Sequence, residues 1–312
     1  MEKFLVTGGA GFIGSNITRK LVRQGCFVRV LDNLLTGKKS NLADVMHKIE
    51  FIEADMGDPD VAGNAVKDIE VVLHQGALPS VPKSVDNPAA TNRHCVDATL
   101  TMLIAARDAK VKRFVYAGSS SAYGDTPTLP KVETMKPLPL SPYAAAKLAG
   151  EHYCSVFYNC YGLQTISLRY FNVFGPYQDP TSQYAAAIPA FVTAILGDRP
   201  PTIYGDGEQS RDFTYVDNVV EANLLASRAP KTSGEVLNIA CGDAVTVNQI
   251  MSMINEIVGK DVKPVYTDHR PGDVKHSLAD ISLARKTIGY KSIVPFKAGL
   301  EKAIDWYRTN LM

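Results

Sequence analysis

The chain has 312 residues, of which 46% are hydrophobic and 21% charged, and its formal net charge is +1. These values are ordinary for one or two globular domains, and they give no electrostatic argument for binding nucleic acid or an anionic membrane. No apolar run approaches the roughly 20 residues that span a bilayer, and a strand pattern starts at the N-terminus, so we expect neither a membrane span nor a signal peptide. The five cysteines lack CxxC spacing, which argues against a disulfide framework or a metal site and favours a reducing, cytoplasmic location.

Short β-branched runs alternate with helical patterns through the first half of the chain. Strands are predicted at 4–6, 27–31, 51–54, 71–74, 113–117 and 165–168, and helices at 13–24, 92–109 and 143–161. This alternation predicts an α/β fold, in which a Rossmann-type, doubly wound parallel sheet is covered by helices on both faces. Further along, we predict helices at 184–197 and 246–258, a strand–helix unit at 212–227 and a strand at 236–239.

The regular alternation ends at Gly175-Pro176, which predicts a boundary between two domains. We predict a Rossmann domain over residues 1–175, to which elements near 212–240 return. Residues 176–312 are expected to form a smaller, mixed α/β C-terminal domain that binds the substrate.

A glycine-rich turn follows the first predicted strand. Gly8, Gly11 and Gly14 fall where that strand passes into a helix, together with Phe12 and Ile13. A pyrophosphate needs backbone N–H groups, close approach and a helix N-terminus at this place, although an ordinary tight turn would carry the same residues. The turn therefore predicts a dinucleotide site.

An aspartate ends the second predicted strand, and other small or acidic residues end the next two. Asp32 lies 18 residues beyond Gly14, where a carboxylate binds both ribose hydroxyls and repels a 2′-phosphate, which favours NAD over NADP. Asp55 is predicted to reach the adenine, or alternatively to cap a helix. We assign the following residues to the same cofactor site: Asn33, Met56, Gly76 and Ala77.

A tyrosine and a lysine share one face of the predicted helix at 143–161. Tyr143 and Lys147 are four residues apart, and a cation beside a phenol favours the phenolate and lowers its pKa. Three hydroxyls, Ser119, Ser120 and Ser121, follow the fifth strand, at the edge of a parallel sheet where ligands bind. The alternatives are a solvated helix face for the first pair and a local serine loop for the second.

These motifs resemble the extended short-chain dehydrogenase/reductase family, and within it the nucleotide-sugar 4-epimerases. The resemblance covers nearly the whole chain and includes the stretches TGGAGFIG at 7–14, YAAAK at 143–147, RYFNVFGP at 169–176, SRDF at 210–213 and RPGD at 270–273. It implies that Tyr143 is the base for the sugar 4-hydroxyl, that Ser119 bridges the two, and that Lys147 holds the nicotinamide ribose. Hydride would pass from C4 to NAD and return to the other face of a 4-keto sugar.

The resemblance also implies which residues hold the UDP-sugar. Asn172 would contact the phosphates, Arg211 and Arg270 would clamp the diphosphate, and Asp273 would meet the uridine ribose. The alternative for the two arginines is a pair of surface salt bridges. Other residues expected to contact the substrate are Ser80, Ser119, Ser120, Ser121, Tyr143, Ala187, Ile188 and Ser277.

Two features favour an epimerase among similar proteins. Dehydratases and decarboxylases carry acids where this chain has Ser120 and Ser121, and epimerisation needs none. Ser277 stands where a bulky tyrosine excludes 2-acetamido sugars from related epimerases, so we expect room for UDP-GlcNAc and UDP-GalNAc. Cys95 and Pro79 depart from the family pattern, since many relatives have an asparagine at the first position and some have glycine at the second.

We therefore predict an NAD-dependent 4-epimerase, an isomerase that acts on UDP-GlcNAc and UDP-GalNAc as well as on UDP-glucose and UDP-galactose. The alternatives are a 4-epimerase of UDP-uronic acids, another nucleotide-sugar enzyme such as a reductase, and a catalytically idle NAD-binding regulator. The helices at 92–109 and 143–161 are expected to pair in a homodimer, as in relatives. His74 ends a predicted buried strand, and we expect it to be a hydrogen-bonded core residue rather than a ligand.

Overall fold

The computed structural model describes residues 1–180, 187–268 and 275–311. Within these ranges the strands, numbered in chain order, are β1 (Lys3–Thr7), β2 (Phe27–Asp32), β3 (Glu50–Glu53), β4 (Val71–His74), β5 (Arg113–Ser119), β6 (Thr165–Tyr170), β7 (Val173–Phe174), β8 (Thr202–Tyr204), β9 (Ser210–Arg211), β10 (Thr214–Tyr215), β11 (Glu235–Ile239), β12 (Val245–Thr246), β13 (Val265–Thr267) and β14 (His276–Ser277).

The helices of the same ranges lie between and around these strands. They are α1 (Phe12–Arg23), α2 (Pro59–Ala65), α3 (Val81–Asp86), α4 (Pro88–Asn92), α5 (Ala98–Asp108), α6 (Pro142–Tyr161), α7 (Ala187–Leu196), α8 (Val216–Arg228), α9 (Val247–Val258), α10 (Ser282–Ile288) and α11 (Phe296–Leu311). None of these helices is long and apolar enough to cross a membrane.

Seven parallel strands form the central sheet, in the order β3, β2, β1, β4, β5, β6, β11. This confirms the predicted Rossmann-type fold, and β11 joins the sheet from the second half of the chain by pairing with β6. The order of the strands reverses between β1 and β4, and in open parallel sheets the ligand crevice lies at the carboxyl ends of the strands beside such a reversal. The smaller sheets of the second half pair β7 with β10, β8 with β13, and β9 with both β12 and β14.

The predicted helix at 92–109 differs from the observed one in its start and its winding. The helical segment begins at Pro88, because Asn87 caps it by accepting a hydrogen bond from the Ala90 N–H at 3.0 Å and proline suits the first turn. Residues Arg93–Asp97 then form a π-helical turn before α5 begins. For the predicted helix at 184–197, α7 covers 187–196, and residues 184–186 lie outside the described part of the chain.

Candidate active site

Close backbone packing explains the glycines that follow β1. Gly8 has a φ of +63°, and a Cβ there would lie 2.7 Å from the Cα of Gly76 at the end of β4. A Cβ on Gly14 would lie 2.1 Å from the carbonyl oxygen of Gly8. The N-terminus of α1 is therefore held against the carboxyl ends of β1 and β4, where a helix N-terminus attracts a pyrophosphate.

Asp32 is fixed at the end of β2 by two backbone donors. Its carboxylate accepts hydrogen bonds from the Ala10 N–H at 2.9 Å and the Leu34 N–H at 2.8 Å. Burial raises the pKa of Asp32, while these two hydrogen bonds oppose the rise. Each carboxylate oxygen accepts more than one hydrogen bond, so the side chain retains capacity for the ribose hydroxyls of a dinucleotide.

Asp55 is not the cap of the helix that follows it. Helix α2 is capped by Asp58, whose carboxylate accepts from two backbone N–H groups of the first turn. Asp55 instead accepts from the Gly57 N–H at 2.8 Å and from the Asn33 side chain at 3.4 Å. The structure thus rejects the capping alternative, and the contact of Asp55 with an adenine stays a prediction.

One cleft of about 500 Å³ brings together nearly all the residues predicted to bind the cofactor. Its lining includes Gly8, Gly11, Phe12, Ile13, Gly14, Asp32, Asn33, Met56, Gly76, Ala77, Tyr143 and Lys147. A dinucleotide site requires a glycine-lined backbone that the pyrophosphate can approach, a helix N-terminus and a carboxylate for the ribose, and this cleft has all three. The residues present therefore fit NAD.

Tyr143 lines this cleft, and the Ser119 hydroxyl lies close enough to influence the phenol. Ser141 caps α6 by accepting from the Ala144 N–H at 3.1 Å, which puts Tyr143 in the first turn of the helix. The pKa of Tyr143 is raised to about 12 by burial and then by the Cys95 thiol, and a hydrogen bond with Ser119 opposes the rise. Burial therefore sets the direction of this shift in the protein chain by itself, and the lowering of the pKa by the charge of Lys147 stays a prediction.

Lys147 is held in an aromatic setting that the sequence did not reveal. Its side chain is buried, and its Nζ lies 4.7 Å from the ring centroid of Tyr116, an inward-facing residue of β5. The Tyr116 hydroxyl donates to the backbone carbonyl of Lys147 at 3.2 Å. A Cβ on Gly150 would lie 2.2 Å from that hydroxyl oxygen, so the glycine lets α6 approach β5 closely.

A buried ion pair supports the site from behind. Arg169 of β6 and Glu151 of α6 are 3% and 2% exposed and meet through contacts of 2.7 to 3.2 Å. Glu151 stands one helical turn beyond Lys147, and a Cβ on Gly118 would lie 2.9 Å from its carboxylate. Sequence reasoning missed this pair, although the spacing of Tyr143, Lys147 and Glu151 at four-residue intervals was a visible signal.

The predicted phosphate-binding residues of the second half lie on neighbouring segments. Asn172 has a φ of +34° and donates its side-chain amide to the Asp212 carbonyl at 2.9 Å. Arg211 pairs in register with Ser277, because β9 and β14 run side by side. Arg270 and Asp273 lie outside the described residues.

A buried carboxylate, which sequence reasoning also missed, holds this region together. Asp212 accepts from the N–H groups of Cys241 at 2.9 Å, Gly242 at 3.0 Å and Ala279 at 3.3 Å. Burial raises the pKa of Asp212 to about 6, and these backbone donors oppose the rise. Asp212 therefore ties β9 to the segments that follow β11 and β14.

The other residues predicted to contact substrate occupy varied positions. Ser80 caps α3 through the Lys83 N–H at 3.2 Å, and Ser121 lies 2.8 Å from Ser119 between hydroxyl oxygens. Ser120 is the first residue of a 3₁₀ turn, Ser120–Tyr123. Ala187 begins α7, and Ile188 beside it is only 1% exposed in the main core.

Two departures from the family pattern adjoin the cleft. Cys95 belongs to the π-helical turn, and its sulfur accepts from the Leu78 N–H at 3.4 Å. Pro79, the next residue, lines the cleft. The thiol therefore holds the loop that borders the predicted nicotinamide end.

His74 is a hydrogen-bonded core residue. Its Nδ1 lies 2.9 Å from the Thr7 hydroxyl and its Nε2 lies 3.0 Å from the Thr99 hydroxyl. Burial, followed by the charge of Lys147, lowers the pKa of His74 to about 3, so the ring is neutral. Among the described residues, no cluster of histidine, cysteine and acidic side chains could hold a metal ion.

The fold and the cleft define an enzyme built around a dinucleotide cofactor. A family model described as the NAD dependent epimerase/dehydratase family matches residues 4–240, and the chain belongs to this family. The UDP-glucose 4-epimerase of Mycolicibacterium smegmatis is 36% identical over 310 residues, which are 98% of each chain. These matches confirm the predicted family and NAD as the cofactor.

Two solved structures are also similar along nearly their whole length. One is the UDP-N-acetylglucosamine 4-epimerase of Methanobrevibacter ruminantium in complex with UDP-N-acetylmuramic acid (TM-score 0.95, 42% identity, 99% of each chain). The other is the UDP-glucuronic acid 4-epimerase of Bacillus cereus with UDP-glucuronic acid and NAD (TM-score 0.90, 32% identity, 98% of this chain and 99% of that one). Because such epimerases are isomerases, the predicted enzyme class is confirmed.

Proposed function

We propose that the protein is a 4-epimerase of UDP-hexoses that acts through a transient 4-keto sugar. The observation that carries the proposal is that Tyr143 and Lys147, one turn apart on α6, line the cleft that fits NAD, with Ser119 close enough to the phenol to influence its pKa. A phenol, a hydroxyl at the end of β5 and a lysine on the same face of α6 as the phenol form an arrangement that can remove a proton from a sugar hydroxyl.

Each residue of this group has a separate task in the proposed reaction. Tyr143 accepts the proton of the sugar 4-hydroxyl and later returns it, while Ser119 donates a hydrogen bond that orients that hydroxyl. Bound NAD supplies a reversible hydride acceptor and a positive charge beside the phenol. Such a charge would favour the phenolate, because burial, followed by the Cys95 thiol, raises the pKa of Tyr143 to about 12. Lys147 adds a second buried cation on the same face.

The cleft favours epimerisation over elimination of water. Elimination needs a carboxylic acid beside the reacting carbons, and the positions after Ser119 hold the hydroxyls of Ser120 and Ser121. Among the described residues that line the cleft, the carboxylates are Asp32 and Asp179. Asp179 forms an ion pair with Lys38 at 2.7 Å, and Asp32 ends the strand predicted to meet the adenosine ribose.

We further propose that the enzyme accepts UDP-GlcNAc and UDP-GalNAc as well as UDP-glucose and UDP-galactose. Ser277 is a small residue in register with Arg211, so a sugar whose diphosphate meets Arg211 would find space rather than an aromatic ring beside it. A 4-epimerase of UDP-uronic acids is the second candidate, because one similar structure is such an enzyme.

The proposal is tested by incubating the purified protein with UDP-GlcNAc, UDP-glucose or UDP-glucuronate without added cofactor. The anomeric proton signals are followed by NMR. We expect the galacto epimers of the first two sugars to appear without net NADH, and Tyr143→Phe to abolish this while keeping NAD. Conversion of UDP-glucuronate alone would select the second candidate, and no conversion of any sugar, with NAD added, would refute the epimerase assignment.

We propose a homodimer that uses the outer faces of α5 and α6. Both helices expose apolar side chains, namely Ile104, which is 39% exposed, and Val156 and Tyr161, which are 47% and 54% exposed. Two copies of this helix pair would bury the three side chains in one four-helix contact. Light scattering should give the mass of a dimer, and Val156→Glu should give that of a monomer. Ile293→Glu is the control, because Ile293 is exposed and lies outside this helix pair.

We also propose that the two domains bind different ligands and that the protein is cytoplasmic. The segment 1–175, with elements near 212–240, would bind the cofactor, and the segment 176–312 would bind the nucleotide sugar. All five cysteines are free thiols, which suits the reducing cytoplasm. Expression of the two segments, and fractionation of cells with an antibody, would test these statements.

A further inference from the structure

Lys147 is a buried residue at the wall of the cleft, and it has no carboxylate partner among the described residues. The residue is 3% exposed, and no carboxylate of the described residues lies within ion-pair distance of it. The nearby Glu151 is committed to Arg169 through contacts of 2.7 to 3.2 Å. Burial lowers the pKa of Lys147, so a neighbouring group that stabilises the charged form opposes this effect.

The ring of Tyr116 is the group in position to do so. The Nζ of Lys147 lies 4.7 Å from the ring centroid, inside the range of about 6 Å over which an aromatic face attracts a cation. The ring cannot drift, because it is fully buried, stacks on His74 at 5.9 Å with an interplanar angle of 19°, and donates its hydroxyl to the Lys147 carbonyl.

We infer that Tyr116 is a positioning residue, whose ring face seats the Lys147 ammonium and keeps it charged beside Tyr143. The inference deepens the proposed function, since a charged lysine at this place serves the proton transfer. The titratable groups that interact with the ammonium come from its own helix, from the π-helical turn and from β4, and they are Glu151, Cys154, Cys95 and His74. Tyr143 precedes Lys147 by one turn on α6, and Arg169 of β6 is paired with Glu151.

Three variants separate the ring face from packing. Tyr116→Phe keeps the face and removes the hydroxyl, whereas Tyr116→Leu removes both. Phe114→Leu is the matched control, because Phe114 is the preceding inward residue of β5, equally buried in the same core, and it contacts His74 rather than Lys147. Each variant is checked for folding by calorimetry and for bound NAD by absorbance.

The direct measurement is an NMR titration of protein labelled with ¹³Cε-lysine, with the Lys147 signal assigned through Lys147→Arg. We expect the midpoint of the Lys147 titration to fall by about one pH unit in Tyr116→Leu. In Tyr116→Phe and Phe114→Leu it should stay within about 0.3 pH unit of the wild-type midpoint. The alkaline limb of kcat for UDP-sugar epimerisation should move in parallel, with KM changed less than about twofold.

Equal midpoints in Tyr116→Leu and Phe114→Leu would overturn the inference, and so would a Tyr116→Phe midpoint equal to that of Tyr116→Leu. If Tyr116→Leu fails to fold, fluorinated phenylalanines at position 116 replace it, since they keep the shape and weaken the negative face stepwise. The midpoint should then fall with each fluorine, and a constant midpoint would refute the role. The titration needs no substrate, so failure of the proposed function would not be mistaken for failure of this inference.

Discussion

Removal of one partner of the buried Arg169–Glu151 pair is predicted to destabilise the protein strongly. Arg169→Met keeps much of the length and apolar stem of the side chain but deletes its charge. Glu151, only 2% exposed, then loses all of its contacts of 2.7 to 3.2 Å with the guanidinium. The carboxylate would remain in a low-dielectric layer between α6 and the sheet, which is where an unpaired charge costs most.

The size of the expected loss of stability follows from the burial of both side chains. Breaking a buried pair by deleting one partner costs about 3–5 kcal/mol of unfolding free energy, which corresponds to a fall in Tm of roughly 5–8 °C in a chain of this size. Replacing both charges by apolar groups leaves no orphaned charge, so Glu151→Leu combined with Arg169→Met should recover most of the loss. The ion pair would then contribute far less to the free energy of unfolding than either single substitution suggests.

Denaturant unfolding followed by circular dichroism measures these differences. Arg308→Met is the matched control, because Arg308 pairs with Asp305 at 3.8 Å on the surface, where the two side chains are 49% and 75% exposed. We expect this control to change stability little, since exposed pairs contribute little. The reasoning is refuted if Arg169→Met is no more destabilising than Arg308→Met, or if the double variant is as unstable as the single one.

Three further predictions concern the cofactor, the sugar and pH. Gly14→Ala should abolish retention of NAD, measured by absorbance of the released cofactor, because its Cβ would lie 2.1 Å from the Gly8 oxygen, whereas Gly63→Ala, with open space around it, should retain NAD. Ser277→Tyr should lower the rate with UDP-GlcNAc at least about tenfold relative to UDP-glucose in the NMR assay, since one lost steric fit is worth 1–3 kcal/mol, and an unchanged ratio would contradict the role of this residue. His74 has a pKa of about 3 when folded, below its unfolded value, so its contribution to stability is present above the unfolded value and is lost as pH falls. Between pH 6.5 and 5 this should cost about 2 kcal/mol in wild type, and His74→Gln, measured by the same unfolding assay, should lack this component.

Local sequence patterns predicted most of the fold, because secondary structure and tight turns depend mainly on residues that are close together in the chain. The alternation of β-branched runs and helices, and the glycines after β1, follow from rules that act within about 20 residues. The π-helical turn at Arg93–Asp97 could not be predicted, because it accompanies a contact between Cys95 and the distant loop residue Leu78. The sequence pattern predicted which residues line the cleft but not the contacts that surround them.

The pKa of Tyr143 shows the same limit. The four-residue spacing places Tyr143 and Lys147 on one face of α6, yet the depth of burial decides the direction of the pKa shift, and burial is set by the packing of the whole layer. In the same way, the spacing of Glu151 was visible, whereas its pairing with Arg169 depends on β6 lying under α6. An ion pair between a helix and the sheet therefore cannot be predicted from spacing along the chain until the topology is known.

The glycine at position 150 bears on how the sugar specificity of this family member could evolve. The hydroxyl oxygen of Tyr116 occupies the space that a Cβ would need, 2.2 Å away, so the gap between α6 and β5 has no slack. Because Ser119 belongs to β5 and Tyr143 to α6, their alignment is inherited from this contact rather than from any loop. Under the proposed function, substitutions at Ser277 and its neighbours would change the sugar that is accepted without disturbing the relative positions of Ser119 and Tyr143.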